Sequence, residues 1–295
     1  MNKDFLAPLM VVSWSVYFVL CDMLIKSTGS PLLTGLLLRV GTFIGLSVTL
    51  LFFGKSNVKK IKKRHLSKII ITGIMAFGYD LLINIGLKHS SATAGTALLK
   101  TEIVFVFFFG ILFYKNKVKK IQVLCSSIMM IGAILIVVGS SNGVTIDIWA
   151  LFFVLSALLN AFCAFMLKNI QMKDGPSGFQ VAYVNNIISM LLYGILYFVI
   201  RDSDFLVISK INVFCLIGCI ICQILLIVTY YSALGLYPVW VVKTIILLIP
   251  VLTLFIQTVF FNFYISLTEI IGVVLTIMGG TFMMLITNQK TNHKA

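Results

Sequence analysis

The chain has 295 residues, 60% of them hydrophobic and only 11% charged, with a formal net charge of +14. So little charge excludes a water-soluble globular domain, in which charged residues make up about a quarter of the chain. The surplus of Lys and Arg does not mark a nucleic-acid partner, because it is concentrated in short segments between apolar runs, as in the cytoplasmic loops of membrane proteins.

Polar breaks divide the chain into ten mostly apolar runs, at 5–25, 31–53, 69–88, 91–113, 121–140, 148–168, 179–200, 211–231, 238–260 and 264–286. Each is close to the ~20 residues that cross a ~30 Å hydrocarbon core at ~1.5 Å per helical residue. None alternates strictly between apolar and polar, which excludes a barrel. The expected fold class is an all-α integral membrane protein with ten transmembrane helices in a lipid bilayer, multi-pass in the cell (plasma) membrane. The first run follows Met1-Asn2-Lys3-Asp4, and Leu24-Ile25-Lys26 does not resemble a cleavage site, so an uncleaved helix is expected.

Taken in chain order, the spans carry few polar groups. Trp14 and Tyr17 lie in span one. Span two has Arg39 and the small-residue pair Gly41 and Gly45, a helix-packing face. Span three has Tyr79, Asp80 and Asn84. Arg39 and Asp80 fall at similar depths on antiparallel neighbours, so they can form an ion pair, either structural or gating. Span four holds Lys100 and, near its centre, Glu102. Ionisable groups at such depth are functional candidates by default. Glu102 is the leading one, as a substrate-binding group or one that exchanges a proton for a cationic substrate; the bland reading is a carboxylate neutralised by a neighbouring cation. Lys100, two residues away, is expected on the opposite side of a continuous helix.

The second half brings Asn160 in span six, Asn185 and Asn186 in span seven, and Gln223, Tyr230 and Tyr231 in span eight. These amides can bind substrate or tie helices together. Cys219 and Cys222 have a redox-like spacing but no second Cys/His pair, so packing is expected, with no metal and no cofactor. Span nine holds Trp240, Lys243 and Pro250. Lys243 can reach Glu102, or it can extend to the cytoplasmic interface. Pro250 removes a helical hydrogen bond and is a candidate flexing point. Trp14, Tyr17, Tyr79, Tyr230, Tyr231 and Trp240 can stack on a ring or a quaternary amine, although aromatics near span ends also serve as interfacial anchors.

The halves align at an offset of 147 residues, with Phe18 on Phe165, Leu87 on Leu234, Val104 on Val251, Phe108 on Phe255 and Gly132 on Gly279. The repeats are 1–145 and 146–295, and five spans in each would insert the second upside down. Loop charges agree. The basic segments from Lys55 to Arg64 and from Lys115 to Lys120 have nearly neutral equivalents around Asp202 and Asn262. If only inner loops are basic, the N- and C-termini are cytoplasmic.

Several of these residues carry a resemblance. Trp14-Ser15, Leu38-Arg39-Val40, the stretch from Asn84 to Ala94 entering span four, and the pairs Gln122 with Gly132 and Glu269 with Gly279 are similar in order to the EamA family of the drug/metabolite transporter (DMT) superfamily. Pro250 matches a family proline in span nine, while Ile103 replaces its counterpart in span four. The resemblance places spans four and nine beside a central cavity. It implies a permease that moves small metabolites, commonly by export of amino acids or related compounds. On that reading Glu102 and Lys243 would hold the two ends of a zwitterion, with Trp14, Tyr17, Tyr79, Asn84, Tyr230 and Trp240 as further substrate-binding candidates. The competing transporter reading is a multidrug exporter of lipophilic cations, coupled to protons through Glu102 and independent of Lys243.

No Gly-rich Gly-Lys-Ser/Thr loop is present for ATP drive. A membrane enzyme would need an acid–base–nucleophile set, but His65, His89 and His293 fall in loops or the tail. A channel or scaffold is the third class, separated by conductance or by absence of flux. Internal repeat symmetry is compatible with a monomer or a homodimer.

Overall fold

The computed structural model describes residues 3–53, 63–114, 120–140, 148–171, 175–200, 213–261 and 266–291. Most of the basic segments on which the orientation rests lie outside these residues. The elements are helical: α1 (Lys3–Thr28), α2 (Pro31–Phe53), α3 (Lys63–His89), α4 (Ala92–Leu99), α5 (Glu102–Tyr114), α6 (Lys120–Ser140), α7 (Ile148–Gln171), α8 (Gly178–Ile200), α9 (Val213–Leu236), α10 (Val239–Ile245), a 3₁₀ turn (Ile246–Leu248), α11 (Ile249–Phe261) and α12 (Leu267–Thr291). Among the described residues, eight stretches are long and apolar enough to cross a membrane. The helices α6 and α12 contain shorter apolar stretches, Val123–Gly132 and Leu267–Gly279.

Local chemistry sets the boundaries. Gly29 adopts φ +67° after α1, where a side chain would be strained. Its amide donates to the Ile25 carbonyl at 2.8 Å. Ser30 then caps α2 by accepting from the Leu33 amide at 3.0 Å, and Pro31 begins the helix, where no amide is needed. Ser91 caps α4 by accepting from the Ala94 amide at 3.2 Å.

Spans four and nine are not continuous helices. Around Lys100 and Thr101 the backbone switches to i→i+3 bonds: Lys100 to Ala97, Thr101 to Leu98, Ile103 to Lys100 and Val104 to Thr101. The Thr101 hydroxyl also donates to the Leu98 carbonyl at 2.8 Å, a side-chain bond that favours a bend. Span nine breaks at Ile246–Leu248, on the N-terminal side of Pro250. Pro250 falls in the first turn of α11, where its missing amide leaves no broken helical bond. The two interruptions occupy equivalent places in the two repeats, so proline is not what they share.

Contacts between equivalent helices show the relative orientation of the halves. A Cβ on Gly132 would lie 2.6 Å from the Gly272 carbonyl oxygen and from Thr276 Oγ1, and one on Gly279 would meet Met129 and the Cys125 carbonyl. Positions 125 and 129 are the repeat equivalents of 272 and 276, so α6 and α12 cross antiparallel about a two-fold axis. The α2–α8 contact behaves likewise, with Gly35 against Tyr193 and Ser47 bonded to Tyr183. Helix α1 packs on α9 as α3 packs on α7, again equivalent pairs. The second repeat is therefore inverted relative to the first. Gly41 and Gly45 admit Ile220 and Ile224 of α9, the packing role expected of them.

Candidate functional site

Helices of both repeats enclose a cavity of about 50 Å³. Its wall includes Trp14 and Tyr17 of α1, Arg39 of α2, Tyr79 and Asp80 of α3, Lys100 and Glu102 at the break between α4 and α5, Asn160 of α7, Asn185 and Asn186 of α8, and Gln223, Tyr230 and Tyr231 of α9. At ~10–15 Å³ per water on this measure, the space holds about three to five waters.

Two buried ion pairs stand in the wall. Arg39 Nη2 lies 2.9 Å from Asp80 Oδ2, the pairing expected of α2 and α3. Tyr193 donates its hydroxyl to the same carboxylate oxygen at 2.9 Å, and Asn84 Nδ2 donates to that hydroxyl at 3.0 Å. Arg39 Nη1 also donates to Asn186 Oδ1 at 3.4 Å, while Asn186 Nδ2 donates to the Arg39 carbonyl at 3.1 Å. Arg39 and Asn186 are repeat equivalents, so their mutual contact places them at the pseudo-two-fold axis. For inverted repeats this axis lies in the membrane plane.

Lys243 of α10 forms the second pair, with Nζ 2.8 Å from Glu102 Oε2. Asn160 Nδ2 donates to the same oxygen at 3.1 Å. Lys243 is 1% exposed, so it does not extend to an interface, and its Nζ lies 5.0 Å from the centre of the Tyr230 ring. It stands behind Glu102 rather than in the cavity wall. In this conformation the two groups expected to hold opposite ends of a zwitterion neutralise each other.

Lys100 differs from its expected position. A continuous helix would turn Lys100 away from Glu102, but the backbone follows i→i+3 bonds at Lys100 and Thr101, and both side chains line the cavity. Of the aromatic candidates, Trp14, Tyr17, Tyr79 and Tyr230 line the cavity, and Trp14 meets Tyr230 edge-on at 5.3 Å. Trp240 instead packs partly buried against the apolar core, and Asn84 stands behind the wall in the Tyr193 network. Sequence reasoning missed Tyr193, whose only signal was a hydroxyl in the interior of a span that needed a partner. It also named Gln223 without its partners: Gln223 accepts from Thr42 at 2.6 Å and donates to the Tyr17 hydroxyl at 3.4 Å. Among the described residues no His/Cys/Asp/Glu group could hold a metal, and Cys219 donates to the Tyr17 carbonyl at 3.7 Å.

A polar cavity thus lies between the two halves of apolar helices. The EamA-like transporter family matches residues 1–138 and 147–285, which covers both halves. The chain belongs to the EamA-like transporter family. It is therefore a transporter of the drug/metabolite superfamily and a multi-pass membrane protein. No curated protein matches the transporter. A solved structure described as "Crystal structure of protein" resembles it at 15% identity and a TM-score of 0.73, over 97% of each chain. At that identity the likeness shows the fold alone.

Proposed function

We propose that the protein is a secondary transporter that carries a small polar or amphipathic metabolite, an amino acid or related compound, through the central cavity by alternating access. The observation that carries this reading is the cavity wall. It draws charged and aromatic groups from both inverted repeats and buries them among apolar helices, where ionisable side chains are costly and are usually kept for function. The cation reading requires a free carboxylate, whereas Glu102 is held by Lys243 and Asn160.

Ten membrane spans, cytoplasmic termini and export complete the proposal. The interruptions in spans four and nine, with Pro250 at the start of α11, supply equivalent flexing points on the two sides of the cavity. The Arg39–Asp80 pair ties α2 to α3 as the halves rock. The test is exchange in proteoliposomes preloaded with amino acids, quaternary amines, organic anions or nucleosides. Saturable counterflow of one class is expected, with altered kinetics in Glu102→Gln. Non-saturable conductance, or no flux of any class through folded protein, would refute carrier function.

A further inference from the structure

Two of the cations around the cavity have acids of their own. Arg39 is paired with Asp80, and Lys243 with Glu102. Lys100 is not: it is 3% exposed, lines the cavity, and its Nζ makes no ion pair or hydrogen bond among the described residues. The centre of the Trp14 ring lies 6.0 Å from its Nζ. In the same cavity wall, the buried Tyr230 hydroxyl, whose ring meets Trp14 edge-on, also has no hydrogen-bond partner among the described residues. The cavity wall therefore holds one positive charge that is in no ion pair among the described residues, at the break between α4 and α5. An unpaired cation in an apolar interior is strongly unfavourable unless something neutralises it.

We infer that Lys100 binds the anionic group of the transported solute, and that this solute is a small monocarboxylate whose body lies against Trp14 and Tyr230. This rests on the transport reading above and specifies its substrate class. One net positive charge matches a singly charged anion; a phosphate monoester, carrying about two charges near neutral pH, would leave the cavity negative. Lys100 donates to a carboxylate oxygen, and the unpartnered Tyr230 hydroxyl in the same cavity wall is a second donor. The Glu102–Lys243 pair stays closed and fixes the position of the break, so Lys100 takes over the anion-binding role that sequence reasoning gave to Lys243. A zwitterionic amino acid would leave that positive charge uncompensated, so phenylalanine should bind more weakly than phenylacetate.

The test uses the purified full chain in detergent and in proteoliposomes, with probes of one skeleton: phenylacetate, phenylalanine, phenethylamine and phenylacetamide. Calorimetric titration should show phenylacetate binding and no binding of phenethylamine or phenylacetamide. Loss of a charge-assisted bond in Lys100→Met should weaken phenylacetate binding about ten- to hundredfold, with Lys100→Arg retaining it in part. Thermal melting of each variant establishes that it is folded, and Lys100→Arg carries the test if Lys100→Met is not. Equal phenylacetate affinity in wild type and Lys100→Met, or preference for phenethylamine, would overturn the assignment. Dimethyl phosphate, a singly charged phosphodiester, separates a free acid from a lipid headgroup; its preference over phenylacetate would also overturn the carboxylate. Lys100-dependent binding with no saturable flux would refute transport and leave the anion site standing. Saturable flux of phenethylamine alone would do the reverse.

Discussion

Replacing either member of the Glu102–Lys243 pair should have unequal consequences, because Lys100 is close enough to interact electrostatically with both. The three groups carry two positive charges and one negative. Glu102→Gln leaves two buried cations with no acid. Breaking a buried pair in this way costs about 3–5 kcal/mol. At about 2–4 °C per kcal/mol in a protein of this size class, the melting temperature should fall by on the order of 10 °C. Lys243→Met leaves Glu102 with its hydrogen bond from Asn160 and with Lys100 as a replacement counter-charge, so its loss should be less than half as large. The double variant restores the original charge sum and should melt above Glu102→Gln alone. Thermal melting followed by size-exclusion fluorescence in detergent measures all three, and the cycle gives the coupling between the sites. Equal losses in the two single variants, or strict additivity in the double, would refute the charge argument.

Asp80→Asn should strand Arg39 beside Asn186 and reduce folded yield, at about 3–5 kcal/mol, whereas normal yield and melting would show that the pair is dispensable. Tyr193→Phe removes the donor to Asp80 and the acceptor for Asn84, so a milder loss of about 1–3 kcal/mol is expected in the same melting assay. Gly132→Val must push α6 away from the Gly272 backbone, and it should lower the melting temperature more than Gly194→Val, where the space beside the Cβ is open apart from Leu36 at 3.9 Å.

Membrane insertion was legible residue by residue. A run such as Val213–Leu236 buries its backbone polar groups by forming a helix whatever its neighbours do, and its length is matched to the bilayer. The internal repeat was legible for a related reason: low identity still preserves the spacing of spans. The Arg39–Asp80 pair could also be anticipated, since α2 and α3 are successive antiparallel helices and a buried charge needs a partner. The break at Lys100 and Thr101 could not. No proline marks it, and local propensity alone would continue a helix through Leu99 to Phe105. The i→i+3 bonds that make it, and the Thr101 hydroxyl bond to the Leu98 carbonyl, are visible only in the folded backbone.

The sequence by itself thus determined that this chain lies in a membrane, is helical and repeats once, because each of these depends on local apolar length or on regular spacing. Only the tertiary structure decided which charges meet. Lys243 reaches a glutamate 141 positions away, and Lys100 is left facing the cavity. Such pairings depend on how the two halves close on one another, and in an apolar interior they govern which charges neutralise one another.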